Sequence, residues 1–347
     1  MTIVVVQCRL NSSRLPGKAL FSLGGKTVLD WTLASMKQVK ADAYYVATDY
    51  DSEKDLAPVA KANGFKLFAG PLEDVLEHFC MVIEKSGADA VIRATADNPF
   101  LFYEAAQALR DEYERRNQTG RCDYITFSGL PHGSGVEMFN AHSLLQAKEQ
   151  TDSPYDHEHV GPALYNHKEK WNCIFVDAPA RFNHPHLRTT IDTAADYRRA
   201  LKIVRTLSGK GQSDSPIVEK PYTTEEIVSA FDSPAVAYPV LCLPCVEKGR
   251  GTGHLRRCFS IALEYGADVY VPEDMDMARY GELFEHAKKD GLADWQITHT
   301  LPQKGDYALI VTDAFALNRD FAIKLAEMAP VVAIDEGSLN TDVCDFL

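Results

Sequence analysis

The chain repeats one alternation: a short run of β-branched and other apolar residues, then a longer stretch with apolar residues at helical spacing. Extended runs fall at 2–8, 42–48, 65–69, 89–95, 122–127 and 172–178, and the segments 27–38, 52–63, 73–86 and 101–116 between them carry the helical period. Nearly continuous apolar strands are covered on both faces, and strand–helix alternation brings successive strands parallel with helices above and below. The pattern predicts an α/β fold with a mostly parallel sheet. The stretch 131–192 is less regular and rich in Pro, Gly and His. A helical pattern resumes over 193–207, before the polar loop Ser208-Gly-Lys-Gly-Gln-Ser-Asp-Ser-Pro216.

A second α/β unit follows Ser233-Pro234. A strand at 238–246 leads into Gly249-Arg-Gly-Thr-Gly-His254, then a helix over 255–265 and strands over 267–272 and 306–312. A helix at 317–328 and a strand at 330–335 close the pattern. The boundary is placed at 232–239, giving domains 1–235 and 236–347, in keeping with roughly 100–200 residues per domain.

Charge narrows the function classes. Against 36 Lys and Arg stand 49 Asp and Glu, a formal charge of −13, which argues against a wide basic surface for nucleic acid or anionic lipid. No apolar run approaches the ~20 residues that span a bilayer. The start Met1-Thr-Ile-Val-Val-Val-Gln-Cys8 lacks the flank and length of a signal peptide and reads as a buried first strand. The eight cysteines are scattered and mostly apolar in context, so they are expected as reduced core residues. The Cys242-Leu-Pro-Cys245 pair has no second pair and is assigned to packing. The histidines 132, 157, 159, 167, 184 and 186 fit no zinc spacing. A soluble cytoplasmic protein is expected, with no nucleic-acid partner and no membrane insertion.

The first strand ends in Gln7-Cys-Arg-Leu-Asn-Ser-Ser-Arg-Leu-Pro-Gly-Lys18. In a doubly wound sheet, ligands bind at the carboxyl ends of strands, where this loop emerges. Arg9, Arg14 and Lys18, two serine hydroxyls and a Gly-containing turn are what holding a polyphosphate requires. A solvated basic turn accounts for the same charges equally well.

The string Arg-x-x-Ser-x-Arg-Leu-Pro-x-Lys resembles the signature loop of sugar cytidylyltransferases: the CMP-Kdo synthetases, the CMP-acylneuraminate synthetases and the spore-coat polysaccharide (SpsF-type) branch. Ala47-Thr48-Asp49, Phe68-Ala-Gly-Pro-Leu-Glu-Asp-Val-Leu76, Arg93-Ala-Thr-Ala-Asp97-Asn-Pro99, Val136-Glu137, Glu158-His159-Val160 and Leu187-Arg188-Thr-Thr-Ile-Asp192 match later landmarks in order, over residues 1 to about 231. The resemblance implies a nucleotide-diphospho-sugar transferase domain, GT-A-like and Rossmann-like. It also implies transfer of CMP from CTP to the hydroxyl of an acidic or nonulosonic sugar, with release of pyrophosphate.

On that resemblance Arg9, Arg14 and Lys18 become triphosphate ligands, Lys18 steadying the departing pyrophosphate, and Ser12 and Ser13 add donors. Asp97 and Asp192 become Mg²⁺ ligands; taken alone, each equally suits the cap of the helix that follows it. Leu10, Gly70 and Asp74 are expected around the nucleoside, Asp74 having a helix cap as its alternative. Arg93, Glu137, Glu158, His159 and Arg188 are expected around the sugar, although His159 equally suits a structural hydrogen bond. A homodimer through 131–170 is implied as well. Two other outcomes stay open: a nucleotidyltransferase using another NTP, and a nucleotide-sugar binding or scaffold protein without turnover.

In the second unit, Gly251-Thr-Gly-His254-Leu-Arg-Arg-Cys258 resembles the N-terminal lobe of the UDP-sugar hydrolase of the pseudaminic acid pathway, half of a GT-B-like fold. Gly251 and Gly253 would form its turn and His254 would be its general base. The lobe that completes that fold would begin near Leu347, so two expectations stay open for residues 236–347: a hydrolase lobe cut short, or a half-fold with a binding or assembly role.

Overall fold

The computed structural model describes residues 1–71, 74–207, 217–247, 252–334, 337 and 342–346. The chain divides into two compact units: Met1–Ala200 with Leu207–Val228, and Leu201–Thr206 with Ser229–Leu347.

The first unit opens with β1 (Thr2–Gln7), followed by the hairpin β2 (Ser22–Leu23) and β3 (Lys26–Thr27) and by α1 (Val28–Lys37). Next come β4 (Ala43–Asp49), α2 (Glu53–Ala62), β5 (Lys66–Gly70), α3 (Val75–Ser86), β6 (Ala90–Thr95) and α4 (Tyr103–Thr119). The chain continues through β7 (Tyr124–Ser128), β8 (Glu137–Asn140), α5 (Ala141–Lys148), α6 (Pro154–His159), α7 (Pro162–Tyr165), β9 (Cys173–Asp177), α8 (Ala194–Leu207) and α9 (Thr224–Phe231).

β1 shows why Ile3 to Val6 are apolar without a break. Val4 and Val6 join Leu29 and Leu33 in one core, while Ile3 and Val5 join Phe79 and Val82 in the core on the other face. α1 starts where it does because Thr27 and Asp30 form a reciprocal capping box. The sheet order is β5-β4-β1-β6-β8-β7-β9. β4 and β6 flank β1 in parallel, whereas β8 runs antiparallel to both β6 and β7. β8 lies in the segment that showed no sequence pattern, because four residues are too few for alternation to register. The chain moves outward from β1 through β4 to β5 and then returns to β6. That reversal opens a crevice at the carboxyl ends of β1 and β6.

The second unit contains α10 (Pro234–Ala237), β10 (Val240–Pro244), α11 (Gly253–Tyr265), β11 (Asp268–Tyr270), α12 (Met277–Lys289), β12 (Ile297–Thr298), β13 (Leu309–Asp313), α13 (Arg319–Met328) and β14 (Val331–Ile334). Its sheet is parallel throughout, in the order β12-β11-β10-β13-β14. α12 was not anticipated from the sequence. It buries Tyr280, Phe284 and Ala287 at helical spacing, among charged residues that mask the period. The cysteines are free, and Cys8, Cys80, Cys122, Cys242 and Cys258 are buried. No helix among the described residues is long and apolar enough to cross a membrane.

Candidate active site

After β1 the chain turns back on itself, and the Gly17 amide donates to the Leu10 carbonyl at 2.8 Å. Gly17 adopts φ +71°, a left-handed conformation that glycine takes without strain. The turn delivers Lys18, only 8% exposed, into the crevice. Its ammonium donates to Asp97 Oδ2 at 2.7 Å, to the Ile191 carbonyl at 2.7 Å and to Asp192 Oδ1 at 3.0 Å. Asp97 follows β6 and Asp192 precedes α8. The two loops are tied together by the Ile191 amide, which donates to the Asp97 carbonyl at 2.9 Å.

Arg14, largely exposed, donates to Asp192 Oδ1 at 2.8 Å, and Arg188 donates to Asp192 Oδ2 at 2.8 Å. Burial pushes the Asp192 carboxyl up, but Lys18 beside it, with Arg14 and Arg188, holds it below its ordinary value. Neither aspartate spends its side chain on a helix cap. The α4 cap position is Phe102 and has no side-chain cap bond. At the start of α8, Thr193 Oγ1 accepts from the Asp196 amide while Asp196 Oδ2 accepts from the Thr193 amide. A cavity of about 180 Å³ lies against Arg9, Ser12, Ser13, Arg14, Lys18, Asp97 and Asp192, so the expected triphosphate and metal residues share one wall.

The loop has a support that sequence reasoning missed. Asp49, buried at the end of β4, accepts from the amide and the hydroxyl of Ser52, and Ser52 Oγ accepts from the Leu10 amide at 3.1 Å. Ala47-Thr48-Asp49 stood out as a motif. Its role was not readable, because the relay joins residues 42 positions apart. The expected nucleoside residues are otherwise dispersed. Gly70 ends β5 opposite Asp49 and lies so close to His78 that a Cβ there would sit 2.5 Å from the imidazole. Asp74 caps α3, accepting from the Glu77 amide at 2.8 Å, and lies 2.8 Å from His157 Nδ1. Its cap alternative is therefore realised. The Asp74 carboxylate in turn raises the His157 pKa.

A wider cleft of about 640 Å³ adjoins Arg14, Asp97 and Asp192 and extends over Arg93, Glu137 and His159. The β6–β8 register sets Arg93 opposite Glu137, and the two side chains pair. Arg93 Nη2 also donates to Gln7 Oε1 at 2.9 Å, and Tyr124 donates to Glu137 Oε1 at 2.8 Å. These bonds hold a charged pair in one geometry on the cleft floor. His159 is exposed and its ring meets the Tyr155 ring edge-on at 4.4 Å, while its carbonyl accepts from the Gly161 amide at 2.8 Å. Glu158 lies 3.6 Å from Arg9 in an exposed pair, an arrangement that contributes little energy by itself. Arg188 is drawn toward Asp192 and Asp196 and is not in the cleft lining.

Among the described residues no cluster of three or more His, Cys, Asp or Glu could hold a metal. The oxygens of Asp97 and Asp192 nevertheless converge on one cationic position, taken by the Lys18 ammonium. Two carboxylates on a cavity wall that can also admit water and phosphate oxygens suit Mg²⁺, which takes few protein ligands. The residues fit that ion.

In the second unit His254 is 3% exposed and Asp313 fully buried. Asp313 Oδ1 lies 2.6 Å from His254 Nδ1, and Arg257 donates to both Asp313 oxygens at 2.7 and 2.8 Å. Asp313 orients the imidazole in the way a carboxylate orients a base. Phe315 meets its ring edge-on at 4.8 Å. Gly253 begins α11, whereas Gly251 lies outside the described residues.

Comparison with known proteins places residues 3–220 in a match to the family described as Cytidylyltransferase. The spore coat polysaccharide biosynthesis protein SpsF of Bacillus subtilis is 33% identical over 208 residues, covering 56% of this chain and 82% of that protein. A 3-deoxy-manno-octulosonate cytidylyltransferase of Vibrio parahaemolyticus is 33% identical over 102 residues, 28% of this chain and 40% of that protein. Among solved structures, a cytidylyltransferase from Leptospira borgpetersenii superposes with a TM-score of 0.58 at 23% identity, over 66% of this chain and 93% of that one. This last likeness shows the fold.

Proposed function

The chain belongs to the cytidylyltransferase family, and from that premise we propose that it transfers CMP from CTP to the hydroxyl of an acidic sugar destined for a surface polysaccharide. The sugar oxygen forms the new bond to the α-phosphorus as the bond to pyrophosphate breaks. The observation that carries this reading is the convergence of Lys18, Asp97, Asp192 and Arg14 on one cavity wall, directly beside the cleft that holds the Arg93–Glu137 pair.

In such transfers the protein contributes positioning and neutralisation of charge. Arg9, Arg14 and Lys18 hold the triphosphate, and Ser12 and Ser13 donate to its oxygens. Lys18, already desolvated, sets a fixed positive charge where the pyrophosphate departs. Leu10, held through Ser52, and the strand end at Gly70 border the nucleoside. Arg93 takes the carboxylate of the acceptor and Glu137 takes a hydroxyl, with His159 and Glu158 at the rim. Arg188 fixes Asp192 in place. Asp97 and Asp192 would hold Mg²⁺, which when bound neutralises triphosphate charge. The protein acts in the cytoplasm as a homodimer, with residues 1–235 as the transferase domain. For residues 236–347, the His254–Asp313 pair supports a hydrolase-like lobe with His254 as base.

A pyrophosphate-release assay with each NTP, Mg²⁺ and a panel of 2-keto-3-deoxy sugar acids tests the reaction. Release is expected with CTP and at least one acid and is lost in Asp97→Asn. Unchanged turnover in that variant refutes the metal assignment. Silence across the panel, with CTP leaving thermal stability unaltered, refutes the nucleotide assignment.

A further inference from the structure

The second unit holds a cleft of about 650 Å³ that uses neither His254 nor any residue of the transferase site. It lies at the carboxyl ends of the parallel strands, where Pro244 ends β10, Tyr270 ends β11 and Phe321 stands in the first turn of α13. The sheet order makes this the place where the chain, having moved outward from β10 through β11 to β12, returns to β13. Leu255 and Phe259 of α11 pack in the core on one face of the sheet, and Leu325 of α13 packs in the core on the other. The connections after β10 and β13 therefore part, and a ligand crevice opens between them.

Two features of the lining indicate what the crevice takes. Tyr280 of α12 lines it and is 1% exposed, yet among the described residues its buried hydroxyl has no hydrogen-bond partner. A buried unpaired hydroxyl is costly, and a ligand's polar atom would relieve it. Asp274 stands just beyond β11, about 20 residues after the turn that starts α11, where doubly wound nucleotide domains place the carboxylate for ribose hydroxyls. The remaining walls are mainly aromatic and aliphatic, Tyr270 and Phe321 among them. Glu247, Asp274 and Asp276 outnumber Arg279, a balance that repels a polyphosphate.

The geometry points to a second binding site, for a nucleoside whose base lies between aromatic walls and whose ribose hydroxyls meet Asp274, with Tyr280 completing the polar contacts. The size suits a nucleoside, since small-ligand pockets run from ~300 to ~1,000 Å³.

Calorimetric titration of the full chain with cytidine, uridine, adenosine and guanosine tests this, in the unaltered protein and in Tyr280→Phe, Asp274→Asn and Lys18→Met. At least one nucleoside is expected to bind. Tyr280→Phe should weaken it by ~3–10-fold and Asp274→Asn by ~10-fold or more, the usual effects of losing a neutral and a charged hydrogen bond. Lys18→Met should leave that binding as it was, and the two second-unit substitutions should leave pyrophosphate release by the first unit unchanged. The proposal is overturned if no nucleoside binds at about 1 mM. It is equally overturned if binding is indifferent to both second-unit substitutions, or if binding is lost in Lys18→Met, which would assign it to the first unit. The binding outcomes stand whether or not the cytidylyl-transfer reading holds; only the pyrophosphate-release control rests on it.

Discussion

Replacing Lys18 by methionine keeps the aliphatic stem and removes one charge from the centre of the site. Three acceptors lie within 3.0 Å of the ammonium: Asp97 Oδ2, the Ile191 carbonyl and Asp192 Oδ1. Breaking a buried pair from one side costs ~3–5 kcal/mol, because the remaining charge is left unpaired. Here the loss is smaller. Asp192 keeps Arg14 and Arg188, and the Asp97 carboxylate is 25% exposed and can be hydrated through the cavity. An expected destabilisation of ~2–3 kcal/mol corresponds to a fall of ~4–12 °C in Tm for a unit of this size. The orphaned carboxylates also become a better cation site, so Mg²⁺ should raise the Tm of Lys18→Met by more than it raises that of the unaltered protein. Differential scanning calorimetry with and without Mg²⁺ reads both effects. A Tm within about 1 °C of the unaltered protein and an identical Mg²⁺ response would refute the idea that Lys18 neutralises this pair of carboxylates.

Three further outcomes follow from the same geometry. Ser52→Ala removes the acceptor of the Leu10 amide and a donor to Asp49, at ~1–2 kcal/mol; steady-state kinetics should show a several-fold rise in KM for CTP that Ser52→Thr largely restores. Gly161→Ala sets a Cβ 2.5 Å from Glu137 Oε1 and 2.8 Å from the Tyr165 ring, so it should cost ~1–3 kcal/mol in denaturant unfolding and raise KM for the acceptor sugar more than that for CTP. The Asp74 carboxylate beside the imidazole raises the His157 pKa, so the pair stabilises the folded state fully below the ordinary histidine value of ~6.5 and loses that contribution as pH rises through the raised value. The Tm deficit of His157→Gln should accordingly be larger at pH 5.5 than at pH 8.5, and an equal deficit at both would exclude the linkage.

Much of the first unit was legible because its strands are covered on both faces. Burial of Ile3 and Val5 against one layer and of Val4 and Val6 against the other leaves no polar position in the run, and such a run is visible without coordinates. The basic loop was legible as a cluster of charges close in sequence. Illegible were the features that depend on pairing at a distance. β8 is short and half-buried at its ends, so nothing local announced that it would run antiparallel and set Glu137 against Arg93. Asp74 had two readings, nucleoside ligand and helix cap, and the Glu77 amide and His157 now engage its carboxylate.

The sequence by itself determined the alternation of strands and helices, the two α/β units and the stock of basic, hydroxyl and carboxylate groups. These follow from periodicity and from residue chemistry, which act over a few positions. Only the tertiary structure decided which of those groups meet. Lys18 reaches Asp97 across 79 positions and Asp192 across 174, and the cleft of the second unit exists because the order of five parallel strands reverses at β10. Strand order and loop closure are settled by the packing of whole layers, a free-energy balance summed over both faces of a sheet that no local stretch of residues contains.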